Sequence, residues 1–157
     1  MKNQKGFTLI ELLLVLAIIG IISAIAVPAL LGQRDRAKAT AVKDNTSAIV
    51  ADLQSGLDTL SDPPSERPVA LQGADTSTTI LKATSARDYV LLKPNFSGAK
   101  NPYGNGLAYQ TAGAVLGTSV VSLPAGNTTD AVLTITGYYK NPADGATITI
   151  TKQVPVN

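Results

Sequence analysis

Residues 7–31 read FTLIELLLVLAIIGIISAIAVPALL, twenty-five positions in which Glu11 is the only charge. As a helix rising 1.5 Å per residue, this run is long enough to cross a bilayer hydrocarbon core of roughly 30 Å. Gly20 and Pro28 punctuate it. Glycine costs roughly 1 kcal/mol against alanine in a helix, and proline removes a backbone hydrogen bond and crowds the preceding turn, so kinking or local melting is expected between them. A tolerated kink in a membrane helix would use the same two residues. Beyond Leu31 the chain turns polar but keeps a helical period, with Val42, Ile49, Leu53, Leu57 and Leu60 at spacings of 7, 4, 4 and 3. Asp62-Pro63-Pro64 then stops the pattern. One continuous or gently bent helix is predicted from residue 7 to about residue 60, on the order of 80 Å long. Its apolar stripe is the face on which the rest of the chain packs, in preference to a coiled-coil seam.

Residues 62–157 are rich in Thr, Val, Gly, Ser and Pro and carry short stretches of period two, the mark of strands with one buried and one wet face. Strands are predicted over 88–92, 114–123, 131–139 and 146–154. In the last, Ile148 and Ile150 alternate with Thr147, Thr149 and Thr151, and Asn141-Pro142-Ala143-Asp144-Gly145 supplies the turn of an antiparallel hairpin. A sheet laid over the stripe gives so small a head an adequate core. The expected fold class is α+β: a long N-terminal helix with an antiparallel β-sheet head on its C-terminal half. The segments are 1–6, 7–31, 32–61 and 62–157.

Composition narrows the chemistry. Without Cys there are no disulfides or thiolate metal sites, and without His the commonest general base and transition-metal ligand are missing. No nucleophile set, metal set or phosphate loop is recognisable, so neither an enzyme nor a cofactor is expected. The formal charge is +2, but Lys2 and Lys5 lie before Gly6, and beyond them 11 basic residues face 11 acidic ones. Net charge therefore gives no argument for nucleic acid as a partner. Arg67, Lys82, Arg87, Lys93 and Lys100 could gather into a DNA-binding patch, yet charges so dispersed are more often solvated loop ends. Asp130 and Asp144 are isolated carboxylates, and no metal is expected on them. Asn-x-Ser/Thr triplets at Asn45, Asn95 and Asn127 could accept glycans, although such triplets arise easily by chance.

The residues before the apolar run change the picture most. A secretory signal places its small-residue cleavage site after the apolar stretch, whereas Gly6 stands before it and behind Lys2 and Lys5. Cleavage there would leave the apolar helix on the mature protein. The opening MKNQKGFTLIELLLVLAIIG, a short basic leader, Gly, Phe, Thr-Leu-Ile-Glu and an apolar run, resembles the class III signal of type IV pilins and type II secretion pseudopilins. The resemblance implies cleavage between Gly6 and Phe7 by a membrane prepilin peptidase, which also methylates the new Phe7 amine. It implies Phe7, Thr8 and Glu11 as assembly residues, and Gly20 and Pro28 as places where the helix bends or loses order in a filament. It also implies a homo-oligomeric helical filament built by inner-membrane assembly machinery, with membrane lipid around the helix beforehand.

Charge bias opposes this orientation, since Arg34, Arg36, Lys38 and Lys43 outnumber Lys2 and Lys5. The leader is placed in the cytoplasm on resemblance alone. Glu11 has a physical reading of its own. An acidic residue in a span costs roughly 2.5 to 3.5 kcal/mol on insertion scales and is retained for a partner. The freed amine of Phe7 fits, presented from the same helix four residues earlier or from an adjacent subunit; a glutamate snorkelling to water is the alternative.

Asn101-Pro102-Tyr103-Gly104-Asn105-Gly106-Leu107-Ala108-Tyr109 resembles the Asp-Pro-Trp-Gly-x-x-Tyr turn of major pseudopilins, with Asn for Asp and Tyr for Trp. Physically it is a Pro/Gly turn whose tyrosines cover the adjacent sheet. The function expected is that of a major pilin-like structural subunit, lodged in the inner membrane and then in an extracellular pilus for adhesion or motility. The alternatives are a secretion pseudopilin in a periplasmic pseudopilus, or a minor pilin that binds DNA or surfaces.

Overall fold

The computed structural model describes residues 6–104, 106–123 and 131–156. Lys2, Lys5, Asn105, Asn127 and Asp130 lie outside the described residues. The chain divides into two compact units, one ending at Asp35 and one beginning at Arg36. Helix α1, Leu9–Thr59, belongs to both and is unbroken through Gly20 and Pro28. Within the first unit its apolar window, of mean hydropathy 2.8, buries nothing.

In the second unit, burial along α1 starts at Ala39 and recurs at Val42, Thr46, Ile49, Leu53, Gly56, Leu57 and Leu60. All five positions of the apolar stripe are inside. Small or polar residues at the same period fill its gaps. The helix ends where the Pro pair was expected to stop it, and Arg67 completes the end. Its buried guanidinium donates from Nη2 to Leu60 O at 2.8 Å and from Nε to Asp62 O at 2.9 Å. A cation on carbonyls that a helix end leaves unpaired both satisfies them and opposes the helix dipole. Arg67→Ala is expected to cost about 1.5 to 3 kcal/mol, the range for hydrogen bonds to charged groups. Lys should recover only part, because it lacks the planar fork. Urea midpoints of the full chain in detergent check this, and a change near zero would remove Arg67 from the fold's supports.

A 3-10 turn at Val69–Leu71 leads to α2, Thr79–Leu92, and the short α3, Pro94–Ser97. The Thr78 hydroxyl caps α2 by accepting from Leu81 N at 3.3 Å. Residues 88–92, expected as a strand, are thus the last turns of α2. The apolar run there suggested extended chain, but Ala83, Ala86 and Val90 form a helical face of small residues. That face lies against Gly56, where an added Cβ would sit 3.4 Å from Val90 Cγ2. Strand structure therefore begins far later than residue 62.

The sheet contains β1, Tyr109–Gln110; β2, Ser119–Ser122; β3, Val132–Lys140; and β4, Thr147–Pro155, in that spatial order. β3 and β4 form the expected antiparallel hairpin, pairing Gly137 with Ile150 and Lys140 with Thr147. Its turn closes through Asn141 N to Ala146 O at 2.7 Å, with Gly145 at φ +73°. β2 is antiparallel to β3, but β1 runs parallel to β2, so the sheet is not wholly antiparallel. The strand expected over 114–123 shrinks to Ser119–Ser122, since Gly113 and Gly117 take positive φ and bend the preceding chain.

On β3 the alternation is complete, burying Leu133, Ile135, Gly137 and Tyr139. On the edge strand β4, Ile148 and Ile150 are only half-buried. The main core joins α1, α2 and the sheet through Ile49, Leu53, Val90, Phe96, Leu133 and Ile135. A smaller cluster gathers Ala39, Val42 and Tyr139, with Tyr103 packed on it.

Candidate assembly site at the N-terminal helix

The start of α1 is a capping box. Thr8, just before the first helical residue, donates from its backbone N and from Oγ1 to Glu11 Oε2 at 2.9 and 2.8 Å. Glu11 N donates back to Thr8 Oγ1 at 3.3 Å. Two amide groups that a helix start leaves unpaired are thereby satisfied reciprocally. The Thr-x-x-Glu spacing ahead of an apolar run announces this device in the sequence, a signal that the reading of Glu11 as a buried charge passes over. Both bonds fall on the same carboxylate oxygen, Oε2.

Gly6 has open space around it, and Phe7 is 94% exposed. Phe7, Glu11, Leu12 and Val15 line one shallow apolar recess. The apolar side chains that follow on every side of the helix, from Leu9 to Leu31, are exposed as well. A helix apolar all round needs either lipid or other helices around it.

The remaining candidates resolve differently. The basic residues weighed as a possible patch have separate roles: Arg67 is committed to the end of α1, Lys93 pairs with Asp52 at 2.5 Å and Arg87 with Asp88 at 2.7 Å. Lys82 Nζ donates to Ser61 Oγ at 3.2 Å, and Lys100 bridges to Leu107. Asp144 accepts from Ala146 N at 2.9 Å within the hairpin turn. Asn45 lies inside α1 and Asn95 inside α3. Among the described residues, no three acidic groups converge as a metal site would need.

The turn that begins at Asn101 is structural in its contacts. Asn101 Nδ2 donates to Leu116 O and its Oδ1 accepts from Tyr103 N, both at 2.8 Å. A side chain at Gly117 would run into Asn101, so the turn and the β2 approach lock together. Tyr103 OH accepts from Lys140 N at 3.2 Å, and Tyr109 packs edge-on against Phe96 with centroids 4.7 Å apart.

Tyr109 OH donates to Asn45 O, and burial, aided by the Asp52 carboxylate, pushes its phenol up to about 12. A raised folded pKa means stability is intact below pH 10 and falls as pH rises from 10 to 12. At 1.36 kcal/mol per unit the loss is bounded at about 2.7 kcal/mol, and solvent reaching the half-buried hydroxyl screens it below that bound. Tyr109→Phe should flatten that part of the pH–stability curve relative to wild type; identical slopes would refute it.

Comparison with known proteins agrees with this geometry. Residues 1–27 match the prokaryotic N-terminal methylation motif. The chain is 44% identical over 52 residues to type II secretion system core protein G of Pseudomonas aeruginosa, covering 33% of this chain and 37% of that one. It is 60% identical over 42 residues to the type IV wide pilus major component PilA4 of Thermus thermophilus, covering 27% and 32%. It is also 50% identical over 48 residues to the type IV major alpha-pilin of Moraxella bovis, covering 31% and 30%. The chain spans about a third of the length of these curated relatives. No solved structure matches it. In its N-terminal third, which carries the methylation motif, the Thr8–Glu11 box and the exposed apolar helix, the chain is similar to type IV pilins and to type II secretion core protein G.

Proposed function

We propose that this chain is a structural, major pilin-like subunit of a type IV filament, assembled through its N-terminal helix and serving adhesion or motility. The single observation that carries the reading is the helix exposed and apolar on all sides from Leu9 to Leu31, next to a head with its own core. Membrane lipid covers it first, and helices of neighbouring copies cover it in the filament. In this account the chain divides into a leader (1–6), a span and filament core (7–31), an amphipathic continuation (32–61) and a head (62–157). A prepilin peptidase cuts between Gly6 and Phe7 and methylates Phe7, and inner-membrane machinery extracts the product. Gly20 and Pro28 let the helix bend or melt on assembly.

A secretion pseudopilin is the second reading, favoured by the Asn101–Tyr103 turn and by the similarity to core protein G. Electron microscopy and secretion assays of cells lacking the chain separate the two. Disappearance of long surface fibres supports the pilin. Loss of secretion with fibres unchanged overturns it in favour of the pseudopilin.

A further inference from the structure

Strand β4 is the long open edge of the sheet. Among the described residues it pairs only with β3, in one unbroken register from Thr147 to Pro155 with no bulge. The opposite edge strand, β1, is two residues long. Native proteins blunt an open edge with short strands, bulges, proline or lysine. On β4 the proline stands at the last position, and the one lysine, Lys152, donates from Nζ to Ser47 Oγ of α1 at 3.0 Å. Residues 147–151 carry no such guard.

The parity of the hairpin fixes which backbone groups are open. Asn141 N donates to Ala146 O at one end of the ladder and Val156 N to Ala131 O at the other, at 2.7 and 2.9 Å. Bonded and non-bonded pairs alternate in an antiparallel ladder, so Ile148, Ile150, Lys152 and Val154 exchange bonds with β3. The amides and carbonyls of Thr147, Thr149, Thr151 and Gln153 therefore point to the open edge. Pro155 shares their parity, so its missing N–H costs the β3 ladder nothing. Side chains are incomplete at the same edge. Ile148 and Ile150 pack on the cluster of Val42 and Tyr139 but stay half-buried, because the sheet stops beside them.

The edge sequence says what fits it. Thr147-Ile148-Thr149-Ile150-Thr151 reads the same in both directions about Thr149. Two copies meeting antiparallel with Thr149 opposite Thr149 set Thr147 against Thr151 on one face and Ile148 against Ile150 on the other. Threonine pairs and β-branched pairs both stabilise neighbouring strands. The isoleucines fall at the non-bonded positions, where facing side chains come closest.

We propose that β4 pairs antiparallel with β4 of a second copy, centred on Thr149, and joins two four-stranded sheets into one through about six backbone hydrogen bonds. The pairing reverses one head relative to the other and closes on itself, so it is not the head-to-tail contact that repeats along a filament. Its role rests on the filament reading above: it ties two filaments side by side.

The chain has no cysteine, so single cysteines introduced into the full chain report without background. In detergent under mild oxidation, Thr149→Cys is expected to give a disulfide-linked dimer, because bonded partners lie about 5.5 Å apart at Cα, within disulfide reach. Thr147→Cys and Thr151→Cys alone should each give about tenfold less, since two copies of either position stand about 13 Å apart along the strand. A mixture of those two variants should cross-link as Thr149→Cys does. Adding Thr149→Pro to both members of the mixture removes the two central donors and spares the β3 ladder. The mixed dimer should then fall about tenfold or more. Urea unfolding checks that the proline variant keeps its head folded; if it does not, the cysteine pattern alone decides. Dimers at all three single positions overturn the proposal in favour of parallel or random contact. No dimer at any position overturns it too and leaves the edge to a strand of a different protein. Electron microscopy of cells separates the role from the pairing. Thr149→Pro is expected to leave single fibres and remove side-by-side bundles, and bundles that persist overturn the tie between filaments. Wild-type cells without fibres sink the filament reading, while the cysteine pattern still decides the pairing.

Discussion

Glu11→Gln is expected to abolish filaments while leaving cleavage after Gly6 intact. The substitution separates two roles that Glu11→Ala would remove together. A glutamine carbonyl can still accept from Thr8 N and Thr8 Oγ1, the bonds that close the capping box at 2.9 and 2.8 Å. What it cannot do is neutralise an ammonium. In the proposed function, cleavage would turn the Phe7 amide into an amine, and packing the helices of many copies would take that amine out of water. Leaving one partner of a buried charge pair uncompensated costs roughly 3 to 5 kcal/mol, or about 100- to 4,000-fold per subunit added. Growth by repeated addition does not survive that loss. Processed monomer should accumulate in the membrane, visible by immunoblot as the shortened form, with no fibres by electron microscopy. Normal fibres from Glu11→Gln, together with none from Glu11→Ala, would reduce Glu11 to a helix cap.

The long helix, its exposed apolar run and its buried stripe were legible in the sequence because they rest on patterns sustained over many residues. Twenty-five apolar positions and a stripe from Val42 to Leu60 leave no competing pattern. The stripe's gaps were less legible, since Thr46 and Gly56 are neither large nor apolar. They are buried because the sheet and α2 come too close there for anything bigger. The hairpin of β3 and β4 was readable from alternation and its Asn-Pro-Ala-Asp-Gly turn. Helix α2 was not, because Asp88-Tyr89-Val90-Leu91-Leu92 taken alone resembles a strand and its helical face is only alanines and a valine. Arg67 was misread as a loop-end charge for a different reason. Its partners are backbone carbonyls five and seven residues earlier, and no side-chain pattern marks them.

Gly137→Ala is expected to destabilise the head by about 2 to 5 kcal/mol, a large part of the 5 to 15 kcal/mol typical of a folded domain. Gly137 lies mid-strand on β3 where α1 crosses the sheet. An added Cβ would run into Thr46 Oγ1 and sit 3.0 Å from Ile150 Cγ2 and 3.2 Å from Val42 Cγ1. The threonine cannot simply turn aside. Its hydroxyl is fully buried and already committed, donating to Val42 O at 2.8 Å and lying 2.9 Å from Ser119 Oγ. Relief therefore requires either pushing α1 off the sheet, which opens packing around Val42 and Ile49, or breaking hydrogen bonds that no water can replace. Overpacking contributes about 1 to 3 kcal/mol, and an orphaned buried hydroxyl a similar amount. Denaturant unfolding of the full chain in detergent measures the sum. The double variant Gly137→Ala/Thr46→Ala tests the cause, because removing the hydroxyl makes room for the new methyl. It should be more stable than the two single losses predict when added together, with a coupling of about 1 kcal/mol or more. Strict additivity would mean that the close approach of helix and sheet at Gly137 is not what requires glycine there.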